Sequence, residues 1–191
     1  PSFSSDGKTL YFVLGLTFDR KRRNPDNQDI FFSQINNKGE WSKPVRLSGN
    51  LNTPFCEGSV QIHPDGQTLY FSSNGHTGMG GMDIFMSRID ENGKWGDPIN
   101  LGYPINTFKE ERSILINTKG DLAYISSSRE GGYGDLDIYS FSLPEKFQPI
   151  STLFIKGKVY DEKTNKPLAA DFKLTDLGTG KVFKHAIANS G

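Results

Sequence analysis

Short alternations of apolar and polar residues fill most of the chain, with turn residues between them. In the middle of the chain, SVQIH (59–63), QTLYFSS (67–73) and DIFMSRI (83–89) are three successive segments of this kind. Alternation with a period of two predicts β-strands, because successive side chains of a strand point to opposite faces of its sheet. No segment has a convincing apolar period of 3.6 residues, so the sequence predicts an all-β fold.

Turn residues join these segments into antiparallel hairpins. Pro64-Asp65-Gly66 separates the first two strands, and Asp-Gly favours a hairpin because glycine adopts positive φ at little cost. A glycine-rich stretch, NGHTGMGGM, leads to the third strand, and a turn at 90–93 leads to a fourth strand around 94–101. Pro98 cannot donate to a strand ladder, so the fourth strand is predicted at the edge of its sheet.

This four-stranded unit is repeated along the chain. Trp41 and Trp95 are 54 residues apart (95 − 41), and Asp29, Asp83 and Asp137 are separated by the same interval (83 − 29 and 137 − 83). Three matched landmarks at one period predict a repeat architecture. The first copy is five residues longer, and the additional residues lie in the stretch GLTFDRKRRNPDN.

Four strands in a repeat of about 50 residues are typical of a β-propeller blade. The sequence predicts three four-stranded blades at about 1–57, 58–111 and 112–152, with the first strand of each blade near the axis and the fourth at the rim. Alternate positions, such as Leu69 with Phe71 and Ile84 with Met86, are expected to pack against neighbouring blades. A propeller has about 4 to 8 blades, so we expect the chain to begin inside a larger protein.

The pattern changes near residue 152. Residues 144–152 replace the Trp-x-x-Pro of the earlier repeats with Phe147-Gln148-Pro149, and strand-like segments follow at 153–161, 170–176 and 182–188. We expect residues 153–191 to be the start of a β-sandwich that is too short for an independent core.

Composition excludes several function classes. The chain has 22 Lys plus Arg and 22 Asp plus Glu, so it lacks the basic excess of a nucleic-acid binder. No apolar run approaches the roughly 18 residues of a membrane span. The single cysteine, Cys56, is expected to be a small buried residue, and no disulfide framework is possible.

Recurrent acids are the most conspicuous polar residues. Asp29, Asp83 and Asp137 could hold cations, but we favour carboxylates that accept backbone N–H bonds in tight loops. Glu57 and Glu111 could serve in acid–base chemistry, but they belong to different repeats, and a structural role linking neighbouring blades is favoured.

We predict no catalytic, metal or cofactor site, and therefore no enzyme. The histidines His63, His76 and His185 lack partners at zinc-ligand spacing, and His76 is expected to be solvated. The turns SSDGKT and HPDGQT faintly resemble the Asp-box turns of sialidases, which are structural in those enzymes too. No arrangement of a nucleophile with a general base is evident.

One basic run interrupts the repeat. Phe18, Arg20, Lys21, Arg22 and Arg23 lie in the insertion that is specific to the first copy. Loops that break a regular scaffold often carry binding residues, and arginine and aromatic side chains are favoured interface anchors. We predict these five residues as the partner-binding segment, against the alternative of a solvated loop.

The repeated segments S-x-D-G-K-T-L-Y-F, G-x-G-G-x-D-I-F and W-x-x-P resemble the WD-repeat-like propeller repeats of the TolB type. The tail I-K-G-K-V-Y-D-E-K-T-N-K-P-L-A-A resembles the opening of a carboxypeptidase-regulatory-like domain, a prealbumin-like sandwich. This domain order is similar to that of Bacteroidetes OmpA-family envelope proteins, including the PorE-like component of the type IX secretion system.

The resemblance implies a non-catalytic scaffold in the periplasm, associated with the outer membrane. Its partners would be other cell-envelope proteins, with peptidoglycan bound only through a domain absent from this sequence. Two alternatives remain open at this point. One is the accessory propeller of a hydrolase, although no G-x-S-x-G follows the repeats. The other is a glycan-binding module with aromatic residues that stack on sugars.

Overall fold

The computed structural model describes residues 1–15, 27–152, 158–180 and 182–188, the last six of these by backbone alone. The described residues form antiparallel β-sheets and a single short 3₁₀ turn, so the predicted all-β class is confirmed. The chain divides into two compact units, Pro1–Thr152 and Leu153–Gly191.

Three sheets of similar design follow one another in the first unit. The first contains β1 (Ser2–Phe3), β2 (Thr9–Gly15), β3 (Gln28–Gln34) and β4 (Val45–Arg46), in that spatial order. The second contains β5 (Glu57–Ile62), β6 (Thr68–Ser73), β7 (Asp83–Arg88) and β8 (Ile99–Asn100). The third contains β9 (Glu111–Ile116), β10 (Leu122–Ser127) and β11 (Asp137–Ser142), with β10 in the middle.

The fourth strands are short edge strands where they occur. In the second sheet β8 begins directly after Pro98 and pairs only with β7 among the described strands, as the proline predicted. The fourth strand expected within 144–152 is wrong. A 3₁₀ turn, Glu145–Phe147, occupies this place because the Phe147 side chain turns into the core, where the Tyr70 hydroxyl donates to its carbonyl oxygen at 2.6 Å.

Both faces of the second sheet are buried. Leu69 and Phe71 pack in a cluster shared with the first sheet, while Ile84 and Met86 pack in a cluster shared with the third. The expected packing of these alternate positions is therefore confirmed. Because the side-chain period of a strand is two, a single strand supplies both contacts.

The second unit contains one described sheet. Strands β12 (Ala170–Thr175) and β13 (Val182–Ala188) pair in antiparallel fashion. Of the strand predicted at 153–161, residues 153–157 lie outside the described part, and Tyr160 forms an isolated bridge with Pro167.

Candidate functional site

In each of the three sheets, the longest connections join the strands at the same end. In the second sheet Glu57, Ser73 and Asp83 are neighbours in register at this end, and in the third sheet Glu111, Ser127 and Asp137 are their equivalents. In the first sheet β2 ends here at Gly15 and β3 begins at Gln28. We call this end of the strands the loop end. The opposite end of the strands, which carries the turn at 64–66, is the turn end.

The buried glutamates hold the inter-sheet connections in place. The Thr107 backbone N–H and hydroxyl donate to the Glu111 carboxylate at 2.9 and 2.8 Å, and the Ser127 hydroxyl donates at 2.7 Å. Glu57 accepts the same three bonds from Thr53 and Ser73. Both glutamates are 0% exposed, which confirms the structural interpretation of this pair.

The two glutamates differ in their electrostatic surroundings. Burial raises the pKa of Glu57, and the hydrogen bonds from Thr53 and Ser73 only partly oppose this effect. Beside Glu111 lies Arg129, whose Nη2 is 3.5 Å from the carboxylate and 2.7 Å from the carbonyl oxygen of Ile105. The third sheet therefore supplies a counter-charge for its buried carboxylate.

A pair of asparagines joins neighbouring sheets, and the sequence analysis missed it. The Asn106 side chain accepts from the Ile84 N–H at 2.7 Å and donates to the Ile84 carbonyl oxygen at 2.8 Å. Asn52 makes the same two bonds to Ile30, at 2.6 and 3.0 Å. Its signal was available as Asn-Thr-x-x-x-Glu, which occurs at 52–57 and again at 106–111.

The recurrent aspartates secure the loops that precede the third strands. Asp83 accepts from the Met79 and Gly80 N–H groups at 2.8 and 3.1 Å, and Asp137 accepts equivalent bonds from Tyr133 and Gly134. The loop interpretation is thus confirmed for these two residues.

Asp29 binds a charged side chain. It accepts two bonds from the Arg46 guanidinium, at 2.7 and 2.9 Å. This bidentate ion pair raises the pKa of Arg46. A charged side chain on the edge strand β4 thus holds the buried Asp29 carboxylate.

The solvent exposure expected for His76 and for Cys56 was wrong. His76 is half-buried: its Nε2 lies 3.1 Å from the Leu51 carbonyl oxygen, and its ring packs on Phe71 and Phe85. Cys56 is half-buried rather than buried, because its backbone pairs with Asn74 at the surface of the loop end.

The other histidines have no role in a metal site that the structure describes. His63 is buried at the turn end, with Nε2 3.2 Å from the Asn117 carbonyl oxygen, while the His185 side chain lies outside the described part. Within the described residues, no three His, Cys, Asp or Glu side chains are grouped as metal ligands would be.

Asp65 organises the turn end. Burial alone would raise its pKa, but the adjacent His63 ring and hydrogen bonds from Thr68 and from the Gln67 N–H outweigh this and lower the pKa to about 2. The carboxylate also accepts from the Ile150 N–H at 2.9 Å, so it fixes the end of the first unit to the second sheet.

The loop end also displays large apolar side chains. Phe55, Met79, Phe108 and Tyr133 lie on its connections and are 59%, 50%, 68% and 104% exposed. The connections that carry them are tied together, since the Gly81 N–H donates to the Lys109 carbonyl oxygen and the Ser128 N–H to that of Glu110. Apolar side chains held at fixed positions in this way can contact a partner at low entropic cost.

Among the cavities lined by described residues, two take their lining from all three sheets. A cleft of about 200 Å³ at the loop end is lined by polar groups from all three sheets, among them Gln28, Cys56, Asn74, Glu110 and Arg112. A groove of about 880 Å³ runs along the first strands of the sheets and is lined by Phe12, Val60, Leu115, Tyr124 and Ile138.

The larger groove follows from an uncovered sheet face. Tyr124 and Ile138 are 40% and 79% exposed, whereas Tyr70 and Ile84, their equivalents 54 residues earlier, are fully buried against the third sheet. The groove therefore has the character of an unoccupied packing position, and the loop-end cleft is the better candidate for a ligand.

The predicted partner-binding residues Phe18, Arg20, Lys21, Arg22 and Arg23 lie outside the described residues. Gly15 and Gln28, which lie before and after this segment in the chain, pair with each other at the loop end. The prediction for the five residues stays untested.

No protein-family model and no curated protein matches this chain. Among solved structures, prolyl oligopeptidase B from Galerina marginata is similar at 17% identity and a TM-score of 0.41, over 76% of this chain and 21% of that one. The chain thus spans about a fifth of that protein's length.

Two further solved structures are similar at comparably low sequence identity and TM-score. The periplasmic gluconolactonase PpgL of Pseudomonas aeruginosa has 9% identity and a TM-score of 0.36, over 97% of this chain and 70% of its own. A puromycin hydrolase has 12% identity and a TM-score of 0.38, over 98% of this chain and 32% of its own. Likenesses as distant as these three carry no argument about activity.

Across the ranges that the structure describes, no helix has the length and apolar character of a membrane span.

Proposed function

We propose that this chain is a non-catalytic interaction module of a bacterial cell-envelope protein. In this proposal the loop end contacts other envelope proteins, and the module belongs to an outer-membrane-associated, peptidoglycan-tethered assembly such as the type IX secretion system. The envelope setting rests on the resemblance of the repeats and of the tail to OmpA-family proteins.

The proposal is carried by the contrast between two kinds of residue at the loop end. The acids that recur between repeats, such as Asp83 and Glu111, accept hydrogen bonds that hold the strands and their connections together, and we call this hydrogen-bonded structure the frame. Exposed apolar residues, such as Phe108 and Tyr133, stand on loops that this frame holds. A scaffold for partners needs this arrangement, whereas acid–base catalysis needs carboxylates that can reach a substrate.

We further propose that the three sheets are consecutive blades of a β-propeller and that residues 153–191 open a prealbumin-like sandwich. Support comes from the equivalent packing of the first sheet on the second and of the second on the third. An experimental structure in which the sheets stack face to face without a common axis would contradict the propeller proposal.

Co-purification tests the proposed function. The intact protein, a variant lacking 18–23 and a variant with Phe108→Ser and Tyr133→Ser would each be used to capture envelope partners, with Phe172→Ser in the second unit as control. We expect both loop-end variants to lose partners that the control retains. Unchanged capture would remove the loop end from the proposal, and hydrolysis of peptides or glycans by the purified protein would overturn the non-catalytic assignment.

A further inference from the structure

The loop-end cleft is built from positions that are equivalent in the repeat. Gln28 corresponds to Met82 (54 residues later), Cys56 to Glu110, Gly58 to Arg112 and Asn74 to Ser128. At each of these positions the copies carry different residues. At the neighbouring structural positions they carry the same residue: Asn52 and Asn106, Thr53 and Thr107, Glu57 and Glu111, Ser73 and Ser127, Asp83 and Asp137.

This difference separates two roles at one edge of the fold. Residues that hold the frame are identical because each sheet needs the same hydrogen bonds. The residues that line the cleft differ between the copies and supply chemically distinct groups to one small volume of about 200 Å³. Asn74 also serves a structural role, because its Oδ1 accepts from the Cys56 N–H at 2.9 Å as the Ser128 hydroxyl accepts from the Glu110 N–H at 3.2 Å. A concave site with a few convergent polar groups is the usual form of a small-molecule site.

Gly58 lies in the wall of the cleft and is closely packed. A Cβ at this position would meet the Ser72 hydroxyl and lie 2.7 Å from the Met82 terminal methyl group. The equivalent position in the third sheet carries Arg112, whose guanidinium Nε is 3.1 Å from Glu110 Oε2. The cleft thus has a glycine wall on the second sheet and an ion pair on the third.

The chemistry of the lining selects the ligand. The Arg112 and Glu110 charges compensate each other, which disfavours a ligand with net charge. A guanidinium only donates and a carboxylate only accepts, whereas the side-chain amide of Gln28 can do both. The Asn74 amide oxygen accepts from the Cys56 N–H, so this side chain offers its NH₂ group as a donor. A neutral ligand must therefore offer donors and acceptors close together, as adjacent hydroxyl groups do.

Two exposed aromatic residues lie close in the chain to residues that line the cleft. Phe55 precedes Cys56 in the chain, Phe108 is two residues before Glu110, and both rings are more than half exposed. The C–H face of a pyranose packs on such rings while its hydroxyl groups face the polar lining. We propose that the loop-end cleft binds a neutral carbohydrate, one pyranose unit entering the cleft and its neighbour resting on Phe55 or Phe108.

The test uses the purified protein alone, so it is independent of partner capture and of the proposed scaffold function. Isotope-labelled protein would be titrated with methyl β-D-glucopyranoside, N-acetylglucosamine and, as a peptide probe, N-acetylalanine methylamide, with backbone amide shifts as readout. We expect a saccharide to shift the amides of Gly58, Asn74 and Glu110. Shifts confined to other regions, or shifts with the peptide probe alone, would overturn the proposal.

Two substitutions with matched controls sharpen the test. Arg112→Ala should weaken saccharide binding about tenfold, the loss expected for one charged hydrogen bond, while Arg88→Ala at the turn end should not. Phe108→Ala should weaken it where Phe172→Ala in the second unit does not. If Arg112→Ala unfolds, Arg112→Lys and the shift map of the unaltered protein decide, and binding that is insensitive to Arg112 in a folded variant would contradict the assignment.

Discussion

Replacing Asn106 with alanine removes the side chain that joins the second sheet to the connection before the third. Asn106 is 0% exposed, and its amide makes three hydrogen bonds, two to the Ile84 backbone and one of 2.7 Å to Asn100 Oδ1. After truncation the Ile84 carbonyl oxygen still accepts from the Leu101 N–H at 3.1 Å, and Asn100 Oδ1 still accepts from the Gly102 N–H at 2.7 Å. The Ile84 N–H is the group that loses its acceptor.

The magnitude follows from this asymmetry. A buried donor left without an acceptor costs about 1–3 kcal/mol, and each lost bond whose acceptor keeps another partner costs about 0.5–1.5 kcal/mol. We therefore expect Asn106→Ala to lower the free energy of unfolding by about 3 kcal/mol. For a chain of this length that corresponds to a fall in melting temperature of roughly 6–12 °C.

Urea unfolding with a common m-value would measure the change. Asn37→Ala, in an exposed turn, is the control and should stay within about 0.5 kcal/mol of the unaltered protein. Asn106→Asp keeps an oxygen that accepts from the Ile84 N–H. Its second carboxylate oxygen would replace the NH₂ group that donates to the Ile84 carbonyl oxygen and to Asn100 Oδ1, so this variant should also lower the free energy of unfolding. If Asn106→Ala matched the Asn37→Ala control, the asparagine would not be joining the sheets.

Three further outcomes are expected. Asp83→Ala should destabilise by about 1–3 kcal/mol, since the Met79 and Gly80 N–H groups lose their acceptor, while Asp135→Ala on an exposed loop should not; full thermal stability together with loss of a bound cation would instead favour a metal role. The pKa of Asp65 is lowered from 3.8 to about 2, so the stability that Asp65 contributes is present above pH 4 and is lost as the pH falls through 2. Melting temperatures measured across this pH range should show a loss worth about 1–2 kcal/mol that Asp65→Asn lacks. Equal acid sensitivity of both proteins would refute this. Gly58→Ala should cost about 1–3 kcal/mol through its clash with the buried Ser72 hydroxyl, since the Met82 methyl group can move aside, and a variant as stable as the unaltered protein would show that this wall of the cleft adapts.

Local pattern was sufficient for the strands and their order. Alternation at 67–73 and 83–89, with Asp-Gly in the turn before the first segment, predicted β6 and β7 within one residue of each observed end. The period of 54 residues predicted that the same antiparallel unit recurs. These features depend on side chains a few residues apart, so they are legible in the sequence itself.

The third sheet contains a feature that the local sequence did not predict. Its expected fourth strand had the right position along the chain but the wrong structure, because burial of Phe147 against the second sheet competes with edge pairing. The deciding partner, Tyr70, is 77 residues away in the chain. Nothing near 144–152 carries that information.

The candidate site was hidden for the same reason. Asn106 acts on Ile84 across 22 residues, and the loop-end cleft takes its lining from residues in or next to all three sheets, among them Gln28, Asn74 and Arg112. Their side chains converge only when successive sheets pack against one another. The sequence by itself determined the repeating sheet, and the packing of sheet on sheet decided which polar residues are consumed by the frame and which are left facing a common space.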